Sequence, residues 1–194
     1  MRPDIKPETY SYHDWDSNSA EQSLLDTYKM CESHAEKAIQ WYLDARIGKK
    51  IWARILRLGV ILLTALAGII PILAQLKIDH LSVQPGWSAV ALGIAGLFLG
   101  IDRYFGCSTA WMRYMVTEHK IRQALHEFRF DNEIDRAEWQ QTTLETEKIK
   151  TNLLRCRDFI SQVDQLIREE TDQWVNEFKN TIKQIDDNAR KTTK

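Results

Sequence analysis

Cys31 and His34 stand three residues apart. On a helix this spacing puts a thiolate and an imidazole on one face, enough for two ligands of a zinc site that needs four. No companions at metal-ligand spacing accompany them. His119 and His126 are two helical turns apart, about 10 Å along an axis, too far to share one ion. Cys31, Cys107 and Cys156 are odd in number and widely spaced, which reads as reduced cytosolic thiols and not as a disulfide framework. The sequence has no P-loop, no G-x-G-x-x-G, no H-E-x-x-H and no G-x-S-x-G. No catalytic residue, metal or cofactor is therefore expected, and the chain reads as something other than an enzyme. With 26 Lys+Arg against 27 Asp+Glu, it also lacks the concentrated basic surface that neutralising nucleic-acid phosphates requires.

The elements that carry these residues are legible from punctuation and hydropathy. All eight glycines fall between Gly48 and Gly106, the four prolines are 3, 7, 71 and 85, and residues 107–194 contain neither type. Such a tail has almost no turn signals, so an all-α fold is expected. The first residues, MRPDIKPETYSYHDWD, have no apolar core and so no cleavable signal. Residues 1–18 read as a flexible segment whose aromatics Tyr10, Tyr12 and Trp15 pack on the helical body or dock on a partner.

From Leu58 to Leu76 the chain runs nineteen residues without a charge. As a helix that is about 28 Å, close to the hydrocarbon thickness of a bilayer. Trp87–Phe105 has the same length but contains three glycines and ends near Asp102-Arg103. The cost of a mid-membrane charge, roughly 2.5–3.5 kcal/mol, places Asp102 at an interface. Residues 58–105 thus read as a transmembrane hairpin with spans of about 58–76 and 87–105. The alternative is a buried helical pair in a soluble protein. The connector holds one Lys or Arg (Lys77), whereas nine flank the pair: Arg46, Lys49, Lys50, Arg54, Arg57, Arg103, Arg113, Lys120 and Arg122. This bias predicts a multi-pass membrane protein with both termini in the cytoplasm.

Within the spans, Ala89, Gly93, Gly96 and Gly100 are spaced 4, 3 and 4 and form a stripe that lets another backbone approach closely. The partner is either the first span, through Gly68 and Ala65, or the same helix of another subunit. Pro71 is expected to kink the first span. Thr64, deep inside it, either back-bonds to its own helix or faces a pore. Arg57 and Asp102 fall at similar depth and are candidates to pair, as an interfacial ion pair or as a gate, with Arg103 beside them.

Outside the membrane two apolar seams repeat with spacings 4, 3, 4, 3, 4. The first is Leu24, Tyr28, Cys31, Ala35, Ala38 and Tyr42; the second is Ile149, Leu153, Cys156, Ile160, Val163 and Ile167, extended by Phe178, Ile182 and Ile185. Capping boxes at Ser19–Gln22 and Thr142–Glu145 would start the two helices. A helix after Gly106, carrying Trp111, Met115, Leu125 and Phe128, is expected to weaken over residues 131–143. As one rod, residues 107–194 would reach about 130 Å with the seam exposed, so folding back is favoured. The expected organisation is a cytoplasmic helix at 19–57 leading into the membrane, the hairpin, and a helical region at 106–194. Together they form an antiparallel, coiled-coil-like bundle of three helices: 19–57 toward the membrane, 107–130 away from it, and 142–188 returning.

Several residues around the second span carry a family likeness. Leu92-Gly93, Asp102-Arg103-Tyr104-Phe105-Gly106, Ser108, Ala110-Trp111, Arg113-Tyr114, Leu125 and Phe128-Arg129-Phe130 resemble the SLATT family, the SMODS- and SLOG-associating two-transmembrane effector domains of bacteria. The basic lead-in Arg54-Ile55-Leu56-Arg57-Leu58-Gly59 is also similar, and the likeness covers about residues 35–185. It implies an effector of bacterial conflict and antiphage systems, in which a cytoplasmic sensor or signal-generating partner triggers membrane disruption by pore formation. Asp102, Arg103, Gly106, Trp111 and Arg113 are the motif positions it carries over, implied to order the membrane exit or to gate it. The chain departs from larger members in having no nucleotidyltransferase and no SLOG-type sensor. Two spans cannot enclose water alone, so a pore requires a homo-oligomer in contact with membrane lipid. The alternative is a non-conducting scaffold whose seams recruit a cytoplasmic partner. A small transporter is poorly supported, because two spans offer few polar groups for a midplane site.

Overall fold

A computed structural model describes residues 12–16, 19–75, 84–139 and 146–192. These residues form four helices and no strand: α1 (Ala20–Gln75), α2 (Trp87–Phe105), α3 (Cys107–Trp139) and α4 (Thr146–Thr192). The helix that starts before the first apolar run continues through it, past Pro71, without interruption. α2 ends because Gly106 turns left-handed at φ 56°, a conformation that glycine adopts without a Cβ penalty. α3 begins at the next residue.

The start of α1 differs from the expected capping box. Ser19 Oγ donates to the carbonyls of Asp14 and Asp16, and the Gln22 amide donates to Asp26, so neither side chain turns back on the helix end. A serine hydroxyl can donate as well as accept, and here the preceding carbonyls take it. The Thr142–Glu145 box lies outside the described residues, as do Tyr10, Lys77 and most of the connector. Tyr12 and Trp15 are exposed.

The described residues divide into two compact units. The first joins the residues up to 45 with Arg113–Gln173. All six residues of the first seam are buried there, with Cys156, Phe159 and Val163 of α4 and Ile121, Ala124, Leu125 and Phe128 of α3. Ring contacts set the register. Tyr28 meets Phe128 edge-on at 5.8 Å, Phe128 stacks on Phe159 at 4.2 Å, and Tyr42 meets Tyr114 at 5.6 Å. Rising numbers on α1 therefore meet falling numbers on α3. His34 Nε2 lies 3.0 Å from Asp164 Oδ1, while Arg129 bonds Glu32 and Glu36.

Two expectations for this unit need correction. Met115 is 39% exposed, because a strict seam drawn from it misses the side of α3 that carries Ile121 and Ala124. α3 also continues through the polar run to Trp139. Tertiary partners offset the weak local propensity: Asp135 pairs with Arg155, and Trp139 stacks on Tyr28 at 6.2 Å. This layer carries a cost, since Tyr28 Oη, both side-chain polar atoms of Asn132, and Asn152 Oδ1 are buried without a hydrogen-bond partner. Each such atom costs about 1–3 kcal/mol.

The second unit joins Arg46–Met112 with Trp174–Lys194. Ala53, Leu56 and Ala67 of α1 and Ala91 and Ala95 of α2 are buried, while Leu58, Ile61, Leu62, Leu66, Ile69 and Ile72 and the outward leucines of α2 are exposed. Phe178, Ile182 and Ile185 are exposed too, so the second seam does not extend into this unit as a buried one.

Candidate functional site

Among the described residues two stretches, α1 and Trp87–Trp139, which comprises α2 and α3, contain windows long and apolar enough to cross a bilayer. Only 11% and 12% of those windows is buried. A core helix of a soluble protein would be mostly covered; an apolar band this exposed has lipid as its natural solvent.

The contact between the spans is not the glycine stripe. A Cβ on Gly59 would lie 2.5 and 2.6 Å from ring atoms of Phe98, so α1 meets α2 through a glycine–phenylalanine contact, and Ala91 and Ala95 share that side of α2. At 100° per residue the stripe lies about 160° around the helix from it. Ala89, Gly93, Gly96 and Gly100 are all exposed, and nothing approaches within 4 Å of a Cβ built on the three glycines. Gly68, Ala65 and Thr64 are exposed as well, so the first span does not offer the stripe its partner.

At the end of α2, Arg57 and Asp102 do not touch directly. Arg57 Nε donates to Ser108 Oγ at 3.1 Å, and Ser108 Oγ donates to Asp102 Oδ2 at 2.6 Å. The backbone N–H of Ser108 donates to Asp102 Oδ1 at 3.2 Å, so one carboxylate caps the first turn of α3 while its other oxygen takes the hydroxyl. Ser108 is buried and Asp102 half-buried. Gly106 forms the turn between them, and a side chain there would be strained and would press on Thr109 Oγ1 at 3.3 Å. Arg103 donates to Gln184 Oε1, and Thr109 Oγ1 donates to Glu177 Oε2 at 3.2 Å, which brings the C-terminal part of α4 beside this turn. Ser108, Gln184 and Glu177 carry no spacing signal of their own. Ser108 was visible only as a member of the family-like run.

In the first unit Arg113 Nε bonds Glu170 Oε1 at 3.2 Å, with both side chains 9% exposed. The neighbouring phenols Tyr42 and Tyr114 are held above the ordinary tyrosine range, first by burial and then by the Glu170 charge. Trp111 is half-buried. Cys31 is buried in the core cluster while His34 faces Asp164 at the helix surface, so the two candidate ligands serve separate surroundings. Among the described residues no group of three His, Cys, Asp or Glu side chains could hold a metal ion.

Fold and site define a class: an all-helical protein with two membrane-length apolar helices and a separate compact helical unit. The chain belongs to the SMODS and SLOG-associating 2TM effector domain 2 family, whose model matches residues 4–193. The match takes in nearly the whole chain, more than the stretch on which the resemblance was read, and it names a two-transmembrane effector domain associated with SMODS and SLOG components. No curated protein and no solved structure matches the chain.

Proposed function

We propose that the protein is the membrane effector of a bacterial conflict system, assembling from several copies and opening or disrupting the inner membrane on activation. The observation that carries this reading is the exposed stripe Ala89, Gly93, Gly96 and Gly100, turned away from the side of α2 that meets α1. Small residues at 4-3-4 spacing favour close helix approach in lipid, and a second copy supplies the backbone that the chain's own first span does not. Both termini lie in the cytoplasm, where the helical unit meets a sensor or signal-generating partner. Arg57, Ser108, Asp102 and Arg103 order the membrane exit, and rearrangement there is the gating step.

Purified protein in liposomes is expected to release entrapped dye. Gly96→Leu, which fills the stripe without a clash inside the chain, should abolish release and cellular depolarisation at unchanged protein level. Undiminished release would refute the role of the stripe, and a monomeric mass in nanodiscs would eliminate the pore. A scaffold role is the second reading, favoured by the exposed Trp174, Phe178, Ile182 and Ile185 at spacings 4, 4 and 3 on α4. Dye retention under every trigger, with a stable partner complex in a pull-down, would support it.

A further inference from the structure

The outer side of α3 repeats the period of the buried seam on α1. Val116, His119, Gln123, His126 and Phe130 are spaced 3, 4, 3 and 4, and all five are exposed, Val116 at 50% and Phe130 at 71%. At about 100° per residue they lie across the helix from Ile121, Leu125 and Phe128, which fill the interior of the first unit. Val116, Gln123 and Phe130 line one groove along this face, together with Arg122 and Glu127. Neither the glycine stripe of α2 nor the exposed apolar residues of α4 involve them.

We propose that this face is a coiled-coil seam for a second copy of the chain, α3 against α3 in parallel. It rests on the assembly from several copies proposed above and gives those copies a contact on the helical unit. In heptad terms Val116, Gln123 and Phe130 are a positions, and His119 and His126 are d positions. In a parallel pair each meets its own counterpart, apolar on apolar at Val116 and Phe130, amide on amide at Gln123. Arg122 and Glu127 flank the seam on opposite sides, at g and e, so Arg122 of one copy meets Glu127 of the other on both sides of the two-fold axis. The face is thus complementary in charge to itself. Run antiparallel, the row that carries Arg122 would face itself, arginine on arginine.

Both charges are already held at the edge of the seam. Arg122 pairs with Glu118 of its own helix, and Gln123 Nε2 donates to Glu127 Oε1 at 2.9 Å. The histidines and Gln123 at the centre fix the register at a cost in stability, and the seam is only about 27 Å long from Val116 to Ile134, which is itself 59% exposed. Pairing is therefore reversible, weak between dilute chains and favoured when the spans gather copies in one bilayer and raise their effective concentration.

The test uses the full-length chain in liposomes with Cys107→Ser as background; Cys31 and Cys156 are buried. Gln123→Cys, Phe130→Cys and, as a control on the exposed side of α4, Glu169→Cys are oxidised with copper phenanthroline and run on a non-reducing gel. The first two should give disulfide-linked dimers and the control should stay monomeric. Adding Glu127→Arg, which sets arginine against Arg122 of the other copy, should lower the Gln123→Cys dimer yield several-fold at unchanged helix content. If neither cysteine cross-links while the mass in nanodiscs is that of an oligomer, the seam is overturned and the assembly stands on another face. A monomeric mass removes both. Val116→Cys linking to Phe130→Cys in a mixture, with neither linking to itself, would mean antiparallel pairing and would overturn the parallel seam.

Discussion

Replacing Gly59 by alanine tests the geometry of the paired spans directly. In an open helix position this change gains up to about 1 kcal/mol. Here the new methyl would sit 2.5 Å from the Phe98 ring, against about 3.5–4.0 Å for an ordinary carbon contact, so ring or helix must move by more than an ångström. Overpacking of this kind costs about 1–3 kcal/mol, leaving Gly59→Ala neutral to about 2 kcal/mol destabilising. The sharper quantity is the coupling. Phe98→Ala removes the obstructing ring, so the double variant should recover the helix-propensity gain and deviate from additivity by at least about 1 kcal/mol. Unfolding in mixed detergent micelles, followed by circular dichroism, gives all four corners of the cycle. Additive effects would mean that Gly59 and Phe98 do not touch, and the packing side of α2 would have to be redrawn.

Ser108→Ala should cost about 1–3 kcal/mol in the same assay, since it deprives Asp102 of its hydroxyl donor and Arg57 of its acceptor; Ser108→Thr should retain most of the stability. Arg113→Ala should be destabilising by about 3–5 kcal/mol because Glu170 is left charged and buried, whereas replacing both partners by apolar residues should cost much less. Trp139→Ala should fray the end of α3, seen as faster amide exchange over residues 131–139 with the middle of the helix unaffected. Burial raises the phenols of Tyr28, Tyr42 and Tyr114 above their unfolded value of about 10, so the folded state keeps protons that the unfolded state releases. Stability should therefore hold below about pH 10 and fall as pH rises further, with phenolate absorbance from these residues appearing only as helix content is lost.

The first seam was readable because a period alternating 4 and 3 admits one buried face on a helix, and Leu24 through Tyr42 are all inside. The apolar spans were readable for a similar reason: a charge-free run of membrane length has few other solvents. Trp111, Met115, Leu125 and Phe128 gave a poorer seam for α3, since a helix flanked by two neighbours buries a wider arc than a single stripe. The end of α3 was misjudged because local polarity said nothing about the partners, Arg155 and Tyr28, that arrive from other helices.

Helical class, apolar spans and seam positions thus follow from local periodicity and hydropathy, which act between residues a few positions apart. Which side of α2 meets α1, that Ser108 joins Arg57 to Asp102, that Arg113 is buried against Glu170, and that Cys31 and Cys156 share one core were decided by tertiary structure. Each depends on the rotation and register of one helix against another. Those are set by summed packing over many residues, and no spacing along the chain encodes them.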